Sequence, residues 1–316
     1  MKIKMKEKNV VVTGGAGFIG SNLVKQLADT NHVTVLDNLS TGYLKNIQDL
    51  ITEKKIEFIN GTITDLEILE KTFRNVDYIF HEAAIPSVPR SIKDPLKTNA
   101  TNAQGTLNVL VAARDNHVKK VIYASSSSVY GDTPTLPKKE EMTPNPLSPY
   151  AVSKLTAEYY CEIFTHIYAL PTVSLRYFNI YGPGQDPASE YAAVVPKFIT
   201  NVLNDKSPII YGDGEQTRDF TFIKDVVSAN ILAAESTSTG IFNIAGGKRI
   251  SINNLAKLII KTCGKQIEIQ YKSPRDGDIL HSLADVTRAK DKFNFKPQHD
   301  ITDGIGETIT WFQKQI

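Results

Sequence analysis

The sequence predicts an α/β protein: a doubly wound parallel sheet with a smaller, loop-rich α/β lobe for substrate. Three observations carry this. Short β-branched runs alternate with amphipathic segments through the first 179 residues. A glycine-rich turn joins the first run to the first amphipathic segment. Beyond Asn179 the texture changes to loops rich in Gly, Pro and Asp.

In chain order, "NVVVTG", "HVTVLD", "IEFING", "DYIFHEAA" and "KKVIYASSS" read as strands, with "PTVSLRYFN" as a sixth. Between them, "FIGSNLVKQLAD", "DLEILEKTF" and "LKTNATNAQGTLNVLVAARDN" read as helices, and another helix follows "LSPY". Such crossovers make neighbouring strands parallel. Asp65 is placed to N-cap "LEILEKTF". After Asn179, "YGPGQDPAS", "YGDGEQTRD" and "GGKRI" are loops between short helices such as "VVPKFITNVLN" and "INNLAKLIIKTCG". The piece "DVVSANILAAESTSTGIFNIAG" returns to helix-then-strand patterning. The expected division is a dinucleotide domain over residues 1–179 with a return segment at about 225–247, and a substrate lobe over 180–224 and 248–316. No internal repeat or low-complexity segment is present.

Composition sets outer bounds. At 316 residues, 41% hydrophobic and 22% charged, the chain is of ordinary globular composition, with length for one large or two unequal domains. No apolar run approaches the roughly 20 residues that cross a bilayer. The start "MKIKMKEK" runs into a strand without an h-region or cleavage site, so a cytoplasmic protein without a membrane partner is expected. A net charge of +2 with mixed signs gives no basic stripe for nucleic acid. Cys161 and Cys263 make no disulfide framework and fit a reducing compartment. The six histidines lack metal-ligand spacing, so no metal is expected.

The chemistry starts at "VVVTGGAGFIGSNL", a strand, a glycine turn and a helix start in one run. Gly14 permits the tight turn, Gly17 lets a pyrophosphate approach the backbone, and Gly20 allows the helix to pack on the strand. The first helical amides, at Phe18 and Ile19, then face the phosphates. Asp37 ends the second strand, where a carboxylate accepts hydrogen bonds from the adenosine ribose and repels a 2'-phosphate, favouring NAD over NADP. No arginine follows it immediately.

"SPYAVSK" sets Tyr150 and Lys154 one helical turn apart. A free tyrosine has a pKa of about 10, so it acts as a base near neutrality only with positive charge nearby, which Lys154 can supply. "YASSSSVYG" puts four serines at the carboxyl end of a parallel strand, the ligand edge of open α/β sheets. A serine there can bond both a substrate oxygen and Tyr150. A Gly-x-Ser-x-Gly elbow, which a Ser-His-Asp hydrolase of this fold needs, is absent.

Together "TGGAGFIG", "SSSSVYG" and "PYAVSK" resemble the extended short-chain dehydrogenase/reductase family. "SVPRS", "NPLSPYAVSK", "RYFNIYGPGQDP", "GDGEQTRDF" and "GDILHSLADVTRA" extend the resemblance over nearly the whole chain, toward the nucleotide-sugar 4-epimerases and their branch acting on UDP-N-acetylhexosamines. The resemblance implies a Rossmann domain holding NAD. It also implies 4-epimerisation of UDP-hexoses through a 4-keto intermediate, with UDP-N-acetylglucosamine/UDP-N-acetylgalactosamine first and UDP-glucose/UDP-galactose second. Tyr150 would take the proton of the sugar 4-hydroxyl, and Lys154 would also hold the nicotinamide ribose. Family spacing before Tyr130 points to Ser126 as the catalytic hydroxyl, with Ser127 the next candidate. Dehydrating relatives carry an Asp-Glu pair where this chain has Ser127 and Ser128, which disfavours dehydration.

Further cofactor residues implied by the resemblance are Asn38, Ser40, Thr41 and Gly42 after Asp37, with Thr62 and Ile63 after the third strand. Thr62 departs from the aspartate that often meets the adenine. Ala83, Ala84 and Pro86 of "HEAAIP", with Asn102, Tyr177 and Phe178, complete the cofactor set. For substrate, Arg218 and Arg275 would clamp the diphosphate, Asn179 and Asp278 would bind phosphate and uridine ribose, and Tyr211 would lie beside the base. Ser87, Val88 and Val194 join them. Ser282 and Ala193 are small where some relatives place tyrosine and asparagine, leaving room for an N-acetyl group. A homodimer through the long helices, including the one carrying Tyr150, is also implied. A UDP-glucuronate 4-epimerase, which shares "SSSSVYG", and a non-catalytic NAD-binding regulator stay open as alternatives.

Overall fold

The computed structural model describes residues 5–186, 193–274 and 280–315. Its central element is a seven-stranded sheet containing β1 (Asn9–Thr13), β2 (His32–Asp37), β3 (Ile56–Asn60), β4 (Tyr78–His81), β5 (Lys120–Ser126), β6 (Thr172–Tyr177) and a last strand, Gly240–Ile244. The spatial order is last strand, β6, β5, β4, β1, β2, β3, and every pairing is parallel. This is a Rossmann arrangement. Chain order reverses between β1 and β4, so their carboxyl ends frame the crevice where doubly wound sheets bind ligands.

Side chains alternate across the sheet, and the two faces have separate cores. Val10, Val12, Ile122 and Ala124 face one side, with Leu23, Val24 and Leu27 of α1 (Phe18–Leu27). Val11, Val121 and Tyr123 face the other. The short α2 (Gln48–Thr52) precedes β3, and α3 (Leu66–Thr72) contributes Leu69 to the second face. Asp65 caps α3 as expected, accepting from the Ile68 amide at 3.2 Å.

Where the sequence predicts one helix over "LKTNATNAQGTLNVLVAARDN", the chain forms three consecutive pieces. After α4 (Val88–Lys93) come α5 (Pro95–Asn99), a π turn at Ala100–Gln104, and α6 (Gly105–Asp115). Periodicity cannot register the widened turn, which brings Asn102 against Ile85 and is typical of functional sites. The twenty-residue α7 (Pro149–Tyr168) crosses the same face.

Beyond residue 179 the helices α8 (Val194–Leu203), α9 (Ile223–Glu235), α10 (Ile252–Thr262), α11 (Thr287–Phe293) and α12 (Ile301–Gln313) follow. Val195, Phe198, Leu255, Ile259, Ile305 and Ile309 pack into the same core as α1 and α9, so the second lobe shares the first face's apolar interior. Short pairs of strands shape its rim. Thr217–Asp219 runs antiparallel to Arg249–Ser251, and Ile209–Tyr211 runs parallel to Gln270–Lys272.

Candidate active site

The turn after β1 is built so tightly that only glycine fits. Gly14 has φ +72°, and a Cβ on it would lie 2.6 Å from the Ala83 nitrogen. A Cβ on Gly20 would lie 2.2 Å from the Gly14 oxygen, so α1 starts in direct contact with the turn. Gly17 is the N-cap of α1 and supplies no side chain, which leaves the amide end of the helix to an anion. Asp37 bridges the turn and β2: its Oδ2 accepts from the Ala16 amide at 3.0 Å and its Oδ1 from the Leu39 amide at 2.8 Å. Burial raises its carboxyl above the ordinary value, against those two bonds. Asn38 forms a local turn with the Ser40 amide at 3.1 Å, Ser40 and Thr41 are exposed, and Gly42 packs against Ala16. Thr62 pairs with Thr64 at 2.9 Å, and Ile63 is buried against Gly105.

Across the crevice, Ala83 and Ala84 follow β4 against Gly14, with Pro86 exposed just beyond. Asn102 is buried between the segment after β4 and α7. Its Oδ1 accepts from the Ile85 amide at 2.8 Å, while its Nδ2 donates to the Ile85 carbonyl at 3.2 Å and to Ser153 Oγ at 3.1 Å. It therefore pins the segment after β4 to α7. The neighbouring Ser87 is held at φ 102° while accepting from the Arg90 amide at 3.4 Å. Backbone strain in a non-glycine residue is characteristic of ligand-binding segments. Val88 is exposed next to it.

The start of α7 fixes the candidate catalytic pair. Ser148 caps it by accepting from Ala151, and Pro149 occupies the first turn, so Tyr150 and Lys154 fall on one side. The Lys154 ammonium is buried, donates to the Ala124 carbonyl at 2.8 Å and sits 5.9 Å from the Tyr150 ring centroid. Burial brings it down to about 8, partly countered by Glu82 and Glu158. Burial raises the Tyr150 phenol, and a hydrogen bond with Ser126 works the other way. Of the two candidate serines, the structure brings Ser126 to Tyr150; Ser126 Oγ also accepts from the Ser128 amide at 3.2 Å. Ser127 is half-buried in the following turn.

Three buried groups escape sequence reasoning. Glu158 lies one turn beyond Lys154, and the Arg176 guanidinium forks its two oxygens at 2.8 and 2.7 Å, with Ser125 donating to the first. The four-residue spacing 150, 154, 158 was the only available signal. Tyr177 donates to Glu82 Oε1 at 3.0 Å and accepts from Asn230 Nδ2 at 2.8 Å. The Phe178 ring packs 6.1 Å from that of Tyr130. Asp219 accepts from the Gly247 and Ala284 amides, both at 3.1 Å, and burial drives its carboxyl to about 7.

In the second lobe, Asn179, Ala193, Val194, Tyr211 and Arg218 line one cavity of about 280 Å³, together with Gln216. Asn179 donates to the Asp219 carbonyl at 2.9 Å, and Arg218 donates to the carbonyls of Thr217 and Leu280. Ser282 is joined to the same spot, its amide donating to the Thr217 carbonyl at 3.0 Å. Arg275 and Asp278 lie outside the described residues. Among the described residues no cluster of His, Cys, Asp and Glu could hold a metal ion, and no helix is long and apolar enough to cross a membrane.

Residues 10–245 match the model of the NAD dependent epimerase/dehydratase family. The chain belongs to that family. It is similar over 99% of its length to a solved UDP-N-acetylglucosamine 4-epimerase from Methanobrevibacter ruminantium M1, in complex with UDP-N-acetylmuramic acid, at 47% identity, 100% coverage of that chain and a TM-score of 0.96. A UDP-glucose 4-epimerase from Thermotoga maritima, solved with UDP-glucose, is 38% identical with a TM-score of 0.93, covering 97% of this chain and 99% of its own. The UDP-glucose 4-epimerase of Mycolicibacterium smegmatis is 38% identical over 310 residues, 96% of this chain and 98% of that protein. This epimerase-family enzyme uses NAD, and its cradle fits the cofactor: glycines without room for a Cβ under the phosphates, and a buried carboxylate at the end of β2.

Proposed function

We propose that the enzyme is a UDP-sugar 4-epimerase that interconverts UDP-N-acetylglucosamine and UDP-N-acetylgalactosamine, with UDP-glucose and UDP-galactose as a second pair. The observation that carries the reading is the set of Ser126, Tyr150 and Lys154 at the carboxyl edge of the sheet, opposite the glycine turn. Bound NAD supplies hydride transfer at the sugar's C4.

The side chains supply the acid–base chemistry. The buried Lys154 ammonium stabilises the Tyr150 phenolate, and Ser126 links that oxygen to the substrate's 4-hydroxyl, so Tyr150 takes the hydroxyl proton as the C4 hydride departs, the two losses together leaving a ketone at C4. Tyr150 returns the proton to the carbonyl oxygen as hydride returns to C4, and the face of the turned sugar that receives the hydride sets the configuration of the alcohol. The two positions after Ser126 are serines, which provide no carboxyl pair for elimination.

Arg218, with Arg275, holds the diphosphate, while Asn179 and Tyr211 help to hold the nucleotide. The small side chains of Ser282 and Ala193 leave room for the N-acetyl group as the 4-keto sugar turns. In this reading the sheet half serves NAD, and residues 180–224 with 248–316 serve the UDP-sugar. A second copy would cover the exposed Val152, Tyr159, Ile163 and Ile167 of α7 together with Ile92 and Leu96, making a homodimer. A reducing cytoplasm suits its free cysteines.

The test is purified protein incubated separately with UDP-N-acetylglucosamine, UDP-glucose and UDP-glucuronate, without added NAD, with products resolved by chromatography. Conversion of the first is expected, with weaker conversion of the second. Turnover of the uronate alone would overturn the substrate assignment.

A further inference from the structure

Lys154 has a task that works against the cofactor it serves. Its ammonium must stay protonated to stabilise a phenolate, yet positive charge at this edge of the sheet disfavours the cationic nicotinamide of oxidised NAD. Two buried carboxyl groups lie within electrostatic range of Lys154: Glu82 and Glu158. Glu158 is neutralised by the Arg176 fork and bonded by Ser125. Glu82 is bonded to no cation among the described residues, and its buried Oε2 has no hydrogen-bond partner. A buried carboxylate oxygen without a partner is costly and calls for a missing group.

Position says what that group is. The Glu82 amide donates to the Thr13 carbonyl at 3.0 Å, and its carbonyl carbon lies 2.8 Å from where a Cβ on Gly14 would sit, so Glu82 borders the phosphate turn. With phosphates at that turn and the adenosine ribose at Asp37 on the β2 side, the nicotinamide half runs the other way, across the end of β4 toward Ser126 on β5. His81 points to α6, where its Nε2 meets Thr106 Oγ1 at 2.9 Å. Glu82, the next residue, reaches Tyr177 at the end of β6, a residue in register with Ser126, and Asn230 of α9 fixes the Tyr177 hydroxyl.

We propose that Glu82, held by Tyr177 and Asn230, is the counter-charge for the oxidised nicotinamide: it offsets Lys154 and biases the bound cofactor toward the oxidised form from which each epimerisation starts. The inference rests on NAD binding and is independent of which sugar is turned over. Burial holds the Glu82 carboxyl at about 7 in the free protein, poised so that an adjacent cation would draw it into the carboxylate form.

The test measures equilibrium binding of oxidised and reduced NAD to the apoprotein by calorimetry, for wild type, Glu82→Gln and Glu82→Asp. Glu82→Gln keeps the shape and can still accept from Tyr177. It should weaken oxidised NAD about tenfold relative to reduced NAD, the size of effect expected when one partly buried charge is removed. Glu82→Asp should keep the wild-type ratio. If the Gln variant fails to fold, Glu82→Met, which removes the buried unpartnered oxygen, should show the same tenfold shift. An unchanged ratio, or equal weakening of both forms, overturns the proposal, because a purely structural role would not distinguish the two oxidation states.

Discussion

The cofactor half and the proposed sugar half of this site are made in opposite ways. Around the glycine turn the backbone is in contact with backbone: Gly14 against Ala83, Gly20 against Gly14, Gly42 against Ala16, with no room for a methyl group. Around the proposed sugar cavity the walls are side chains from separated segments, Asn179, Ala193, Tyr211 and Arg218, with Asn179 tied to the Asp219 carbonyl and Arg218 to the Leu280 carbonyl. The contrast suits the proposed reaction: a cofactor that stays in place needs a rigid cradle, whereas a sugar that must turn needs space and an anchor at its far end.

The largest expected effect removes the chemistry and leaves both halves intact. Tyr150→Phe should lower kcat by roughly 10³-fold, in the range for loss of a general acid–base, with unchanged NAD content and thermal stability. An activity loss smaller than tenfold in a steady-state assay would remove Tyr150 from its role. Next, Gly14→Ala should break the rigid half alone. Its Cβ would sit 2.6 Å from a backbone nitrogen at a φ of +72°, so NAD should be absent from the purified protein and stability should fall by about 2 kcal/mol. Nucleotide released on acid denaturation, measured by absorbance, checks the first outcome, and a urea melt checks the second. In the adaptable half, Ser282→Tyr should be tolerated by the fold because Ser282 is only half-buried. It should lower kcat/KM for the acetylated sugar about tenfold while sparing the plain hexose; equal losses on both substrates would show that position 282 does not sense the acetyl group.

The same contrast explains what could be read from the sequence. The cofactor half is local: strand, turn, helix and Asp37 fall within one contiguous stretch, and the Tyr150–Lys154 pair needs only the helical repeat. The seven strands were legible because each is a short run dominated by β-branched and aromatic residues between turn signals, including the return to the sheet at Gly240–Ile244. What escaped depends on which distant strands become neighbours. Glu82 meets Tyr177 only because β4 and β6 flank β5, Asn230 of α9 reaches the same Tyr177 hydroxyl, and Glu158 meets Arg176 only through the packing of α7 on β6. "HEAA" and "TRDF" each contain a buried acid that looks in the sequence like any surface carboxylate. Ser126, the serine to which family spacing points, is the one bonded to Tyr150, and the turn that begins at Ser127 carries the next serine away from it.

The smallest expected effect tests whether the rigid half carries an unneutralised acid. Burial raises Glu82 from 4.5 to about 7 in the folded protein. Between those values the folded state holds more protons than the unfolded one, so the contribution of Glu82 to stability is fully present below 4.5 and is lost as pH rises through about 7. Asp219, raised from 3.8 to about 7, acts in the same direction. His81 acts in the opposite one. Burial takes it from 6.5 down to about 3, so its contribution is present above the unfolded value and is lost as pH falls. The bare stability profile is therefore a sum of opposed slopes, and the difference between wild type and Glu82→Gln isolates one of them. In the apoprotein the Gln variant should gain stability relative to wild type as pH rises from 4.5 to about 7, read from urea melts at a series of pH values. With saturating oxidised NAD that gain should disappear or reverse, because the carboxylate of the wild type then faces a cation. A parallel pair of stability curves, with and without NAD, would mean that the Glu82 charge is neutralised elsewhere and that the two halves do not differ in this respect.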